Sequence, residues 1–207
     1  MGRRSDHTRE QLHRMALDAA LAIVRQDGLR GLSVRRIAGD IGYAGGTLYQ
    51  LFADLDDLII TLNAETIESL YAAVEPVEIG DPAPTLIALA EVYMRVVGTD
   101  RLRWNAVFEY APPADRDMPE RYLAAVGRLL GLVEKVLAPL FLAGEDKLRA
   151  HEARVMWAGL YGIATLASSR KSSVELDTRA MVHSLAGNYI AGLERRLAEA
   201  RKKRRAR

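Results

Sequence analysis

Residues 32–59 read LSVRRIAGDIGYAGGTLYQLFADLDDLI, and the spacing of their apolar residues and glycines decides the fold of the N-terminal part of the chain. Ser33 is a typical helix N-cap, and we expect a short amphipathic helix carrying Ile37 to follow it. Gly42 interrupts that helix, and a second short helix is predicted at about residues 44–51. Two short helices joined by a tight, glycine-marked turn are typical of a helix-turn-helix motif.

Helical periodicity continues on both sides of this motif. Upstream, apolar residues recur at three- and four-residue intervals from about residue 8 to 25, and Gly28 is expected to end that helix. Downstream, a longer helix is predicted at about residues 56–74. Since no segment alternates with a period of two, we predict an all-α fold. Three more long helical stretches are predicted at about residues 120–137, 146–167 and 177–200.

The predicted domain organisation follows from these elements. Residues 1–55 form an N-terminal three-helix helix-turn-helix domain, and residues 56–200 form a larger C-terminal helical domain, for which the family resemblance given below implies ligand binding and dimerisation. Residues 201–207, six of which are basic, are predicted to be a disordered tail. Such a tail is either simply solvated or contacts DNA, and both readings stay open.

Composition excludes several classes of protein. The chain has 207 residues and no cysteine, so disulfides and thiol chemistry are absent. No apolar run approaches the ~18 residues of a membrane span, and the first residues lack the apolar core of a signal peptide. We therefore expect a cytoplasmic protein with no membrane partner. Residues 1–50 carry eight arginines against five acids, which points weakly to nucleic acid.

The helix-turn-helix segment resembles the DNA-binding signature of the TetR family of transcriptional regulators. The preceding stretch at residues 16–29 is similar to the first helix of that family and its closing glycine. The resemblance implies a ligand-responsive regulator that binds an operator in double-stranded DNA as a homodimer, most simply a repressor released from a palindromic site by a small effector. The matching positions are Ser33, Ile37, Ala38, Gly42, Gly46, Thr47, Leu48, Tyr49, Phe52 and Leu58.

The same resemblance implies a set of DNA-binding residues. The hydroxyls of Thr47 and Tyr49 would donate to phosphates, and Gln50 can pair with adenine in the major groove. Two neighbouring arginines of the second helix would contact phosphates or bases, or would simply be solvated, and Tyr49 could instead be a core aromatic. The predicted DNA-binding residues are Ser33, Arg35, Arg36, Tyr43, Ala44, Gly45, Thr47, Tyr49 and Gln50.

Two departures from the family pattern concern the start of the recognition helix and the start of the fourth helix. Ala44 stands where many members have Ser or Thr, so we expect the helix to lack its usual cap. Leu55 stands where most have Lys, which removes one phosphate contact. Asp54, Asp56 and Asp57 are expected to add repulsion near the DNA backbone. We therefore expect either modest affinity for DNA or a larger contribution to binding from the two arginines and from DNA shape.

A weaker resemblance to the family covers two stretches of the C-terminal domain, at residues 103–113 and 155–169. Aromatic residues of the middle helices are expected to line an apolar effector pocket, although ordinary core packing is the alternative for each. Tyr161 replaces the histidine of a related subfamily. The predicted pocket residues are Tyr93, Trp104, Phe108, Tyr110, Tyr122, Trp157 and Tyr161.

Small and apolar residues on the last two long helices predict a four-helix dimer face, because Gly and Ala allow helices to approach closely. The alternative is that these faces pack within their own subunit. The predicted interface residues are Val155, Gly159, Gly162, Ile163, Met181, Leu185, Tyr189 and Gly192.

No catalytic motif, cofactor site or metal site is predicted. The four histidines are not spaced as a closed metal site, and His151, Glu152 and His183 would need to meet across the last two helices to form one. An all-helical enzyme or lipid-carrying protein using the same aromatic cavity is the rival interpretation. Activation in place of repression also stays open.

Overall fold

The computed structural model describes residues 7–168 and 177–206, and within these ranges all regular secondary structure is helical, which confirms the predicted all-α fold. Short 3-10 turns occupy Leu29–Gly31 and Ala138–Leu140. The α-helices of the described residues are α1 (Arg9–Asp27), α2 (Val34–Asp40), α3 (Gly45–Leu48), α4 (Leu55–Val74), α5 (Pro82–Thr99), α6 (Arg101–Glu109), α7 (Glu120–Leu137), α8 (Asp146–Ser168) and α9 (Thr178–Arg205).

The chain divides into two compact units. The first contains the residues up to Ser69 together with Asp100–Ala125, and the second contains Leu70–Thr99 and the residues from Val126 onward. The sequence predicted a boundary at residue 55 and did not join α6 to the N-terminal helices. Helical periodicity shows that a helix buries one face, but it does not show which neighbour covers that face.

Local signals set the limits of α1. Thr8 caps its start, and the capping box is complete because the Gln11 side chain accepts from the Thr8 backbone while the Thr8 hydroxyl accepts from Gln11 N. Gly28 ends the helix at φ 69°, in the left-handed region that glycine adopts without steric cost. The helix begins one residue after its predicted start and ends two residues after its predicted end.

The core of the first unit joins the three N-terminal helices to α4 and α6. Leu17, Ile37 and Phe52 are almost completely buried in it, and Ala106 of α6 belongs to the same cluster. The ring of His13 stacks on Phe52 with centroids 4.6 Å apart, and burial lowers the pKa of this histidine. A neutral imidazole therefore covers one side of the helix-turn-helix core.

Polar contacts hold α6 against α4 inside the first unit. The buried amide of Asn63 donates to the carbonyl of Ala106 at 3.2 Å, and Arg103 Nε donates to the Thr66 hydroxyl at 2.9 Å. Buried polar groups favour the arrangement that pairs them, since leaving them unpaired costs about 1–3 kcal/mol each. These contacts explain why residues 100–125 group with the N-terminal helices.

In the second unit, α5, α8 and α9 pack closely. Ala90, Ile163 and Val182 form a buried cluster, and Leu185 packs against it. Gly159 permits this approach, because a Cβ at that position would lie 3.0 Å from Leu185 Cδ2. Gly159, Ile163 and Leu185 were predicted to face a second subunit; Ile163 is buried within the chain, and Gly159 and Leu185 are partly buried where α8 meets α9.

A buried carboxylate links α8 to α9. The Glu152 side chain is 4% exposed and accepts from the Tyr189 hydroxyl at 2.5 Å and from Arg196 Nη2 at 3.0 Å. Burial alone would raise the pKa of Glu152, but the hydrogen bonds from Tyr189 and Arg196 outweigh it and lower the pKa below its usual 4.5. Tyr189 therefore also packs within the chain.

Helix α9 extends further than predicted. It continues to Arg205, whereas the sequence analysis expected disorder from residue 201. Arg201 Nη2 donates to the Leu140 carbonyl at 2.7 Å, and Arg204 Nη1 lies 3.3 Å from Glu145 Oε1. These contacts with the segment before α8 are long-range in sequence, so a count of basic residues could not reveal them.

We expect Tyr189→Phe to lower the free energy of unfolding by about 1–2 kcal/mol at neutral pH, because it removes a donor from a buried carboxylate. Urea denaturation measures this. Glu152 has a lowered pKa, so its contribution is present above pH 4.5 and is lost as the pH falls through the native pKa; the difference between the two proteins should shrink there.

The matched control is Tyr71→Phe, because the Tyr71 hydroxyl bonds Glu75 at 3.1 Å on the protein surface. This substitution should leave the free energy of unfolding close to that of the parent protein, because solvent screens the contact. Equal effects of the two substitutions would show that the Glu152 contact contributes nothing specific.

Candidate DNA-binding surface and effector cavity

The turn between α2 and α3 is defined by its backbone. Ser33 caps α2 as predicted, accepting from Arg36 N at 3.2 Å. Gly42 adopts φ 76°, which an L side chain rarely allows, and Tyr43 N then donates to the Ala38 carbonyl at 2.8 Å. This left-handed turn redirects the chain, and α3 starts two residues after Tyr43, at Gly45.

Helix α3 is short and presents two different sides. Ala44 provides no side-chain cap at its start, as the sequence predicted. Leu48 is 3% exposed and belongs to the core of the first unit, whereas Tyr49 is 60% exposed. Gln50 is exposed beside it. Tyr49 is therefore not a core aromatic, whereas Phe52 of the signature lies in the core.

The start of α1 reaches the recognition segment. His7 Nδ1 lies 2.7 Å from the Tyr43 hydroxyl, and Arg9 Nη2 donates to the Gln50 carbonyl at 3.3 Å. Sequence reasoning did not select His7 or Arg9 as site residues. The available signal was a basic, polar segment before the first helix, but nothing local indicated that it would lie beside α3.

The two arginines of α2 differ in their surroundings. Arg36 Nη1 pairs with Asp27 at 2.5 Å and Arg36 Nη2 reaches Gln26 at 3.4 Å, so this side chain joins α2 to the end of α1. Arg35 is exposed. The sequence treated the two as equivalent, and only the structure separates a solvent-facing arginine from one committed to a protein partner.

The acids of the first turn of α4 are not isolated charges. Asp54, Asp56 and Asp57 each accept a hydrogen bond from a side chain of the segment at residues 110–121. The sequence analysis had expected these acids to repel DNA without compensation. Their partners lie more than fifty residues away in the chain, and no local pattern shows them.

In the second unit, an apolar cavity of about 50 Å³, partly open to solvent, lies between α5, α7, α8, α9 and the end of α4. Tyr93 and Trp157 line it, with ring centroids 5.6 Å apart at 60°. Burial raises the pKa of the Tyr93 hydroxyl, and nearby Tyr161 raises it further. The other lining residues are Leu70, Val74, Leu86, Leu89, Ala90, Leu129, Leu132, Val133, Met156, Leu160, Val182, Leu185 and Ala186.

Most of the predicted pocket aromatics lie elsewhere among the described residues. Trp104, Phe108, Tyr110 and Tyr122 belong to the first unit and do not line the cavity, and Tyr161 lies on α8 outside its lining. Trp104 and Phe108 do share a face of α6, with centroids 6.0 Å apart. Spacing predicted that shared face correctly but could not assign it to one of two cores.

The predicted dimer residues also separate into two groups. Ile163 is buried, and Met181 and Leu185 pack against its cluster. Val155 is 42% exposed, and Gly162 and Gly192 are partly exposed. Leu166 is 52% exposed on the same helix as Val155.

The histidines and acids of the last two helices have separate partners. His183 Nε2 lies 2.9 Å from Glu91, whereas Glu152 bonds Tyr189 and Arg196, so the two do not meet. In residues 7–168 and 177–206 no group of three or more His, Cys, Asp or Glu side chains is placed to hold a metal ion. No helix in those ranges has the length and apolar character needed to cross a bilayer.

Two family models match this chain. "Bacterial regulatory proteins, tetR family" covers residues 16–62, and "Tetracyclin repressor-like, C-terminal domain" covers residues 86–189. The HTH-type transcriptional regulator Rv0681 of Mycobacterium tuberculosis is 25% identical over 181 residues, which are 87% of this chain and 80% of that protein. The regulator Rv1816 of the same organism is 23% identical over 152 residues, 72% of this chain and 64% of that protein.

Solved structures share the fold. A protein of unknown function from Rhodococcus sp. RHA1 superposes with a TM-score of 0.69 and 22% identity, covering 93% of this chain and all of that one. FadR from Bacillus subtilis, solved with stearoyl-CoA, superposes with a TM-score of 0.67 and 16% identity, covering 87% of this chain and 98% of that one. With a helix-turn-helix whose recognition helix faces outward and with both family models matched, the chain belongs to the TetR family of DNA-binding transcriptional regulators.

Proposed function

We propose that this regulator is a repressor that binds a palindromic operator as a homodimer and is released by a small, largely apolar effector. The observation that carries the DNA-binding part is the outward face of α3, where Tyr49 is 60% exposed while Leu48, one residue earlier, is buried. The large Tyr49 side chain is exposed to solvent beside a fixed turn. In helix-turn-helix proteins this part of the motif lies in the major groove of DNA.

The exposed side chains divide into phosphate and base contacts. Tyr49 and Thr47 provide hydroxyls for phosphates, and Gln50 provides an amide able to pair with adenine. Arg35 adds an exposed positive charge, whereas Arg36 acts mainly as a support through Asp27. Arg9, next to Gln50, extends the positive surface toward the start of α1.

The cavity suits an uncharged ligand, because its lining is almost wholly apolar. At about 50 Å³ it is small for even a compact molecule, given that benzene occupies an apolar cavity of roughly 150 Å³. Effector binding must therefore separate α5, α8 and α9 to some degree. The ligand would therefore bind an expanded conformation more tightly than the compact one. An effector shifts a conformational equilibrium only through such a difference in affinity.

A structural neighbour gives a second view of ligand size. Bacillus subtilis FadR was solved with stearoyl-CoA, a ligand with a long acyl chain. The cavity described here is too small to accept such a chain without extensive rearrangement. We therefore favour a compact apolar effector, and a long acyl group is the alternative that ligand titration decides.

The dimer contact is proposed on the exposed side of α8. Val155 and Leu166 are 42% and 52% exposed, and Gly162 lies between them at a spacing that keeps all three on one face. Large apolar side chains on the solvent side of a helix mark an interaction surface when they are contiguous. A second copy of the chain would cover them and bring two recognition helices onto one operator.

Three further assignments follow from this function. The protein is proposed to act in the cytoplasm, where the operator lies, and to use no catalytic step, cofactor or metal. The rival enzyme or lipid carrier would turn over or retain an apolar metabolite and show no affinity for DNA.

The probe is a duplex covering the region upstream of the gene that encodes this protein. Tyr49→Phe should weaken binding to this duplex by roughly three- to tenfold, since the substitution removes one hydrogen bond to phosphate. Fluorescence anisotropy should show a similar loss for unrelated duplexes, because phosphates carry no base information. Tyr71→Phe is the control and should bind as the parent protein does. A loss confined to one sequence would assign Tyr49 to base reading, and no binding by the parent at low salt would refute the repressor.

Trp157 should report effector binding directly. The chain has two tryptophans, so Trp104→Phe leaves Trp157 as the single emitter beside the cavity. Benzene, toluene and cyclohexane should each change its emission saturably, raise the melting temperature and release bound duplex.

Ala90→Val narrows the cavity and should weaken binding of these ligands by about tenfold. Ala88→Val on the same helix lies outside the cavity lining and should leave their binding unchanged. Equal affinities in the two variants would place the ligand outside this cavity.

A further inference from the structure

Three carboxylates of the first turn of α4 are held by one distant segment. Asp54 immediately precedes α4, and Asp56 and Asp57 lie in its first turn. Their partners are Tyr110 and Arg116, between α6 and α7, and Arg121 in the first turn of α7. We call these three partners the clamp.

The contacts of the clamp are specific in geometry. Arg116 bonds both oxygens of Asp54 in a forked pair, with Nη1 3.0 Å from Oδ1. The Tyr110 hydroxyl donates to Asp56 Oδ1 at 2.9 Å. Arg121 Nη2 bonds the Asp57 carboxylate and also lies 3.4 Å from its backbone carbonyl. A forked arginine–carboxylate pair fixes orientation as well as charge.

The same carboxylates organise the backbone that joins α3 to α4. Asp54 Oδ1 accepts from Asp57 N at 2.8 Å, which caps α4, and Asp57 Oδ2 accepts from Ala53 N at 3.0 Å. Ala53 lies three residues after Gln50. Through Asp57, Arg121 is two hydrogen bonds away from the Ala53 backbone. Through Asp54, Arg116 is two hydrogen bonds away from the Asp57 backbone in the first turn of α4.

Charge gives the clamp a second effect. Leu55 supplies no cation at the start of α4, so the three carboxylates would otherwise add negative charge close to bound phosphates. Arg116 and Arg121 neutralise two of them, and the Arg116 guanidinium lowers the pKa of Asp54. The Arg116 side chain is 24% exposed, which keeps the pair with Asp54 partly shielded from solvent.

We propose that Arg116 and Arg121 are positioning residues for DNA binding, acting through Asp54 and Asp57 to fix the first turn of α4 and to cancel its repulsion of the DNA backbone. This inference rests on the proposed DNA-binding function. Withdrawal of the segment at residues 110–121 would free the turn and leave three negative charges beside the duplex, and both changes lower affinity. The segment is thus a point at which regulation can act on the recognition helix.

A double-mutant cycle tests the clamp. Asp54→Asn removes the charge but keeps the N-cap, because asparagine caps helices as well as aspartate does. The probe is a labelled duplex selected by the parent protein from a random-sequence pool, and anisotropy is measured at 50 and 200 mM salt. We expect Arg116→Ala to weaken binding about fivefold, Asp54→Asn to leave it within about twofold, and the double variant to match Asp54→Asn.

Arg95→Ala, which removes an exposed arginine from α5, is the control for the lost positive charge and should bind as the parent does. A second cycle pairs Arg121→Ala with Asp57→Asn. In the free proteins, amide exchange at Ala53 and Asp57 should be about tenfold faster in either arginine variant, with no change in α9. This measurement separates release of the turn from global unfolding.

The outcomes separate the two proposals. If Arg116→Ala lowers the affinity for the duplex by the same factor with or without the Asp54 carboxylate, the arginine contacts DNA itself and the proposed role of the clamp is wrong. Unchanged affinity and unchanged exchange in both arginine variants also refute it. If the parent protein enriches and binds no duplex, the DNA-binding function fails first and the clamp loses its role with it.

Discussion

Burial of Leu48 and Phe52 is the constraint on which the DNA-binding surface depends. Helix α3 has four residues, and a helix of that length is not stable in water by itself. The core formed with α1 and α4 holds it, and because Leu48 points into that core, Tyr49 must point out of it. The exposed face that we assign to DNA is thus a consequence of one buried leucine.

The two units use buried groups differently. The first unit joins its helices through a mixture of apolar burial and directed polar contacts, such as Asn63 with Ala106. The second surrounds a small apolar cavity and places its buried carboxylate, Glu152, in a separate hydrogen-bonded site with Tyr189. An apolar cavity flanked by well-packed helices can expand only by moving those helices, so ligand size and conformation are linked there.

The acids at the start of α4 show how charge alone can mislead. Counted along the sequence, Asp54, Asp56 and Asp57 oppose binding to a polyanion. In the folded chain Arg116 and Arg121 neutralise two of them and use them to fix the backbone after the recognition helix. The arginines come from a distant segment and cancel two of the negative charges that no lysine at position 55 offsets. Their value lies in geometry, because exposed pairs contribute little to stability by themselves.

The sequence by itself determined the elements: the helical periods, the Ser33 cap, the left-handed glycines and the family signature are all local, and each depends on residues a few positions apart. Tertiary structure alone decided the partners. It assigned Trp104 to the first unit and Trp157 to the cavity, turned Leu185 and Tyr189 inward, ordered the basic end of α9, and paired the acids of α4. Periodicity states that a face is buried, but the neighbour that buries it is chosen by packing between residues far apart in the chain.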